Sequence, residues 1–414
     1  MRALLPLSFF LISSIGFAQS TWTVDQNGGG NFNAIQPAID HAGVVNGDTI
    51  LVMDGTYVEN INFQGKEITL RSENGPGAAI IDGNQSGTVV VFENGDGSGA
   101  VLDGFTVTNG QSGGGAGIYV RGSSSPTITN NVISNNAANS DGGGLFCDHS
   151  TAPLLTNNTI ADNTANNGAG LFLYHSDPTL IGNTITGNVC AISWGSGGGL
   201  YCYSSSPVIT NSILWGNYAP NGSEGYIYGG SPDINFSNVG GGWPGGTGNI
   251  NANPRFVAGY YLSQTAAGQS VNSPCVDAGY PAWTASGTTR TDGVPDSGVP
   301  DMGYHDTAAP DTPTLAISNL VAGQTALIEV SNAFVGGTVI CAYSTRGGGP
   351  INTPWGTGLL TPPFTQFPPR SANAAGIASW SVAVPPGASG LNAWLQALDL
   401  GSQTLSNGLA VTVQ

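Results

Sequence analysis

The side chains of this sequence best suited to surface chemistry recur in step. Tyr119, Phe146, Phe172 and Tyr201 each stand two positions after a glycine, Arg121, Asp148, Tyr174 and Tyr203 two positions further on, and His149 and His175 follow directly. Flat rings beside hydrogen-bonding groups suit sugars, which have apolar faces and polar edges; the same rings can also serve as a ladder that stabilises the fold. His149 and His175 have the composition of a proton-transfer or metal pair, with no third ligand evident, or of exposed turn residues. Arg121 and Asp148 make either a base and carboxylate or a surface ion pair. Asp82-Gly83 and Asp103-Gly104 recur in the same local setting. Stacked about 5 Å apart they would suit a retaining glycosidase; read singly, each carboxylate caps a turn. Asp277, Asp292, Asp296 and Asp301 crowd a Gly/Pro-rich stretch. Such oxygen donors could hold Ca²⁺, although their spacing is not that of an EF-hand loop, or could cap turns.

The elements that must position these groups are set by a repeat. GGAGIYVRGSSSPTITNNVISNN from Gly114 returns as GGGLFCDHSTAPLLTNNTIADN from Gly142, GAGLFLYHSDPTLIGNTITGN from Gly168 and GGGLYCYSSSPVITNSILWGN from Gly197, with a decayed copy GYIYGGSPDINFSNV from Gly225. Each copy is too short to bury its own apolar face, so neighbours must stack. Apolar residues alternate over three to five positions and are broken by Gly, Ser, Asn and Pro, which predicts short strands instead of helices. Strands wound into coils place each residue about 4.8 Å from its counterpart. Asn131, Asn158 and Asn183 then form one column, and Asn136, Asn163, Asn188 and Asn217 another, in which amides pair with one another and with turn backbone. By parity Ile118, Val120, Leu145, Cys147, Leu171, Leu173, Leu200 and Cys202 face the core, and the ring column faces outward.

This repeat resembles the pectin-lyase-like right-handed parallel β-helix superfamily. Its alternation of GGGL with Ile133 to Asn136, Ile160 to Asn163 and Ile185 to Asn188 is similar to the repeats of polymorphic outer-membrane autotransporters. GDTILVMDGTYVENI and KEITLRSENGPGAAIIDG resemble the opening coils of secreted β-helix proteins, in scaffold positions and not in catalytic ones. NINANPRFV, NSPCVDAG and DMGYH, within residues 249 to 306, resemble the segment that closes such solenoids. The resemblance implies an all-β, right-handed parallel β-helix. A lyase of the superfamily would need an Arg or Lys base near a carboxylate-bound Ca²⁺, and the helix offers Lys66, Arg71, Arg121 and Arg255. The N-T-D, D-D, G-H-G and R-I-K motifs that a polygalacturonase-like site would show are absent.

The chain is read in three parts: a signal peptide over 1–18, the β-helix over 19–310, and a β-sandwich over 311–414. Residues 1–18 carry one Arg, an apolar run and small residues at Gly16 and Ala18, as a secretory signal does. FNAIQPAID, with Phe32, Ile35 and Ile39 on one face, predicts a helical cap over the first coil. Beyond a Pro/Thr linker, six strand-like runs in the last hundred or so residues predict the sandwich. With 8% charged residues and a net charge of −17, the surface is polar but poor in bases, which excludes nucleic acid and anionic membrane as partners. No later stretch would span a membrane. Cys147 and Cys202, in one column but separated by Leu173, are too far apart to bridge and are expected as buried small apolar residues. The expectation is a monomeric, secreted or cell-surface β-helix that binds polysaccharide or a neighbouring surface glycan through Tyr119, Arg121, Phe146, Asp148, His149, Phe172, Tyr174, His175, Tyr201 and Tyr203. No cofactor is required, with Ca²⁺ at Asp292, Asp296 and Asp301 as an option. The alternative is a polysaccharide lyase or glycoside hydrolase with a divergent site on that face.

Overall fold

The computed structural model describes residues 19–414 except 258–259, 284–286, 292–293, 307–313, 332, 334–337, 348–350, 354–355, 359, 373–376, 401–403 and 407–408. The expected signal peptide, most of the linker and Asp292 therefore lie outside the described residues.

Among the described residues the solenoid consists of parallel sheets of nine, eight and seven short strands, which run the length of the repeat region. A fourth, of four strands, is built from Gln111–Gly114, Ala137–Asp141, Thr164–Ala165 and Val189–Cys190. Register follows the repeat without slippage in the ring-bearing sheet: Ile118 pairs with Leu145, Leu145 with Leu171, Leu171 with Leu200 and Leu200 with Gly225. The eight residues assigned to the core by parity are all fully buried. Cys147 and Cys202 are separated by Leu173 in register, and all five cysteines are free and buried.

The asparagine columns form inside the coils. Asn163 Nδ2 donates to Asn188 Oδ1 at 3.0 Å and to the Ile133 carbonyl at 2.9 Å, and its own Oδ1 accepts from Asn136 Nδ2 at 3.0 Å. Asn131, Asn158 and Asn183 repeat the arrangement, and the longer column ends where Asn217 Nδ2 donates to Glu224 Oε2 at 2.6 Å. A buried amide is tolerated only when its donors and acceptors are met, and here they are met by the coils on either side. The glycine before each strand exists to admit this column. A Cβ on Gly170 would lie 3.0 Å from Asn188 Nδ2 and 2.5 Å from the Gly199 carbonyl oxygen.

Two expectations require correction. A helical cap is not evident: the stretch forms only the six-residue helix Ile35–Asp40, about 9 Å long, too short to cover an open coil. Phe32 lies outside it, bridged to Val24, and the nine-stranded sheet ends in the strand Thr21–Val24. The helix buries Ile35, Ala38 and Ile39 against the solenoid; Glu59 accepts the N–H groups of Ile35 and Gln36, and the Lys66 ammonium donates to the carbonyls of Ile39, His41 and Val44. Asp82 and Asp103 do not stack. Asp82 lies in the eight-stranded sheet opposite Thr108, whereas Asp103 lies in the nine-stranded sheet opposite Arg71. Asp82 Oδ1 accepts the Asn84 N–H at 2.7 Å, the turn-capping role.

The closing segment packs Leu262, Cys275 and Met302 against Ile213 and then doubles back along the solenoid. Gly303 donates to the Asn211 carbonyl at 2.7 Å, Tyr304 N–H to Thr184 Oγ1 at 3.0 Å, and His305 N–H to Asn157 Oδ1 at 2.5 Å. Three successive residues thus tack down three coils in reverse order. From Thr314 onward the described strands are antiparallel, in a two-stranded sheet of Ile351–Thr353 with Gly356–Gly358, a three-stranded sheet and a six-stranded one; inner residues of the last two, including Ile328, Val330, Trp380, Cys341 and Leu395, share one core.

Candidate functional site

The seven-stranded sheet carries the rings. Tyr119, Phe146, Phe172 and Tyr201 form a column with centroids 5.0, 5.0 and 4.8 Å apart, stacked at the first and last contacts and edge-to-face between Phe146 and Phe172, and Tyr226 extends it at 5.2 Å. A second column runs beside it: Tyr174 to Tyr203 at 4.8 Å and Tyr203 to Tyr228 at 5.0 Å. His149 and His175 stack at 5.4 Å along its edge, each in T-shaped contact with Tyr174. Both histidines have left-handed backbone, where the chain turns out of the strand.

The inner column is less exposed than parity alone suggests. Phe172 is 6% exposed, and the other four rings are half-buried. The cause is the fourth sheet and its connection to the ring strands. Gly115, Gly142, Gly168, Gly197 and Gly222 all have positive φ, and a Cβ on any of them would lie about 3 Å or less from the ring residue four positions on or from backbone beside it. The backbone therefore folds back against the base of every ring. The inner column is a ladder with its edges showing, and the outer column, ending in Tyr228 at 55% exposure, is the more open one. Trp194, on the loop between Cys190 and Leu200, is 64% exposed.

The polar rim also differs from expectation. Arg121 does not pair with Asp148; it reaches back to the preceding coil, where its guanidinium lies 2.6 Å from Glu93 and 5.1 Å from the Tyr119 ring centre. A hydrogen bond from Asn62 and the Arg121 pairing hold the Glu93 carboxyl below its ordinary range. Asp148 instead accepts the Tyr119 hydroxyl at 3.1 Å on one oxygen and meets His149 Nδ1 at 2.5 Å on the other. Burial, and then the Asp148 charge, push the Tyr119 phenol up. The other bases considered for an elimination reaction lie elsewhere: Lys66 donates to carbonyls at the helix end, Arg255 to the Asn272 carbonyl at 2.7 Å, and Arg71 stands opposite Asp103 in the nine-stranded sheet, not in the ring-bearing one.

In the aspartate-rich stretch, Asp296 accepts from Ser297 N–H, Asp301 N–H and His305 Nε2, and Asp301 accepts from Asp277 N–H, Gln264 Nε2 and the Thr289 hydroxyl. Burial raises the Asp296 carboxyl, but His305 and the two backbone donors outweigh it and hold it below the ordinary range. Asp301 goes the other way, raised by burial. Among the described residues no three His, Cys, Asp or Glu side chains gather as a metal site.

Tyr226 and Tyr228 escape the sequence reading although the decayed copy carries them at the right spacing after Gly225. Glu93 escapes it because the coil around it has lost the repeat pattern. Residues 77–239 match the family model described as right handed beta helix region. No curated protein matches the chain.

Proposed function

Taking the right-handed parallel β-helix as the premise, we propose that the protein is a secreted or cell-surface scaffold that binds polysaccharide along its ring-bearing face and does not process it. The observation that carries this reading is the pair of adjacent aromatic columns with rungs about 5 Å apart, half-buried at Tyr174 and Tyr203 and exposed at Tyr228. Tyrosine combines an apolar face with a hydrogen-bonding tip, the two chemistries a sugar ring presents. A rigid solenoid also holds the rings in place before binding, which limits the ordering cost of association. The net charge of −17 favours neutral glycans over polyuronates. His149, Asp148 and Arg121 supply polar contacts along the rim.

The test uses the last two rungs of the outer column, half-buried Tyr203 and exposed Tyr228, because removing the buried Phe172 would damage the ladder itself. Tyr203→Ala/Tyr228→Ala protein that melts as the parent does should lose retention on the neutral polysaccharides that retain the parent, with no reducing ends or unsaturated products formed by either. Retention unchanged in the variant would refute the reading.

One observation favours the catalytic alternative: Asp148 links the Tyr119 hydroxyl to His149 Nδ1 on the same face, and such a chain could move a proton. Product formation abolished by His149→Ala and by Asp148→Asn would establish a lyase or hydrolase in place of the binder.

A further inference from the structure

At the end of the last strand-bearing coils, before residue 249, a recess of 510 Å³ opens between Trp215, Trp243 and Glu224, with glycines forming much of its remaining wall. That volume lies within the range of roughly 300–1,000 Å³ found for small-ligand sites. The glycines leave the recess open: Gly216, Gly222, Gly241 and Gly242 have positive φ, and a Cβ on Gly225 would lie 3.2 Å from Trp243 Cζ3.

Its polar groups are few and directed. Glu224 Oε1 accepts the Gly216 N–H at 2.8 Å and Oε2 accepts Asn217 Nδ2 at 2.6 Å, which fixes the carboxylate while leaving each oxygen a further lone pair. Among the described residues the indole N–H groups of Trp215 and Trp243 donate to no protein acceptor, so the wall offers donors and acceptors together. It contains no basic side chain, which disfavours a carboxylate, sulfate or phosphate. Two indoles and a carboxylate also suit a quaternary ammonium; against it, the Glu224 charge is already spread over two protein donors.

We propose that this recess binds one neutral pyranose unit of a glycan, with Trp215 and Trp243 against the ring and Glu224 accepting from its hydroxyls. The proposal is independent of the ring-bearing face, since it uses other residues.

The test is ¹⁹F NMR of protein labelled with 5-fluorotryptophan, the resonances of positions 215 and 243 being assigned from Trp215→Phe and Trp243→Phe. The titrants are methyl pyranosides of glucose, galactose, mannose and xylose, their short oligomers, methyl galacturonide and choline. At least one neutral sugar should shift both resonances saturably at millimolar concentration. The uronide should bind at least tenfold more weakly, and Trp243→Ala protein with an unchanged melting curve should abolish the response of position 215. Absence of any sugar response, or choline binding in preference to every sugar, overturns the proposal. Loss of the response in Tyr203→Ala/Tyr228→Ala protein also overturns it, by placing the binding on the aromatic face. A response that persists in that variant while polysaccharide retention is absent would leave the recess standing and the proposed function refuted.

Discussion

Asp96 is fully buried, close to the backbone of Glu93 and Gly65, yet neither of its carboxyl oxygens completes a hydrogen bond. Burial is the main cause that pushes its carboxyl up to about 6, with Glu93 and Glu67 adding repulsion. Between the ordinary carboxylate value and about 6 the unfolded chain has released this proton while the folded chain retains it, so stability falls as pH rises through that window and then levels. Asp96→Asn should therefore stabilise the protein at pH 7 by about 1–2 kcal/mol and do little near pH 3.5, as read by thermal melts at both. Asn163 presents the opposite case, a buried polar group with every bond made. Asn163→Ala would strand Asn136 and the Ile133 carbonyl and should cost at least about 3 kcal/mol in denaturant melts. The column was legible in the sequence because one residue type recurs at fixed spacing and only a stacked amide explains it. The partner of Arg121 was not, because nothing in the pattern around Glu93 marks its coil as equivalent.

At the scale of the element, the decisive residues are the glycines that let strands start beside occupied space. Gly170→Ala would drive a methyl into backbone and should destabilise by more than about 2 kcal/mol, whereas Gly113→Ala, with open space around its Cβ, should stay within about 0.5 kcal/mol; equilibrium unfolding of the two variants makes the comparison. Register and core were legible in the repeat, since alternation assigns each side chain to a face. Half-burial of the inner rings was not. It depends on the fourth sheet and the glycine turns after it; two of its strands read QSGG and AANSD, a composition that reads as turn, and the other two are only two residues long. The helix was overextended for a related reason: Phe32 fits the helical periodicity but is held by a bridge to Val24.

For the whole molecule, the contact that matters most is the doubling back of residues 303–305 over three coils. A stack of repeats ordinarily communicates only between neighbours and can fray from its end. Here Asn157, Thr184 and Asn211 are joined by one strand of chain, itself fixed by the buried pair of His305 with Asp296 at 3.1 Å. His305→Ala should speed amide exchange together across all three coils, not in the last alone, while leaving the coils before Gly83 unchanged. Because the Asp296 carboxyl is held low, its contribution is present above the ordinary carboxylate value and lost as pH falls through the depressed one. The stability gap between Asp296→Asn and the parent should therefore narrow in melts taken at successively lower pH below the ordinary carboxylate value. The same strap bears on how the chain can change length over generations. A coil inserted or deleted between Asn157 and Asn211 would move its three attachment points out of step at once, whereas a coil added before Asn157 disturbs none of them, so growth by duplication is open at the front of the stack and closed at the back.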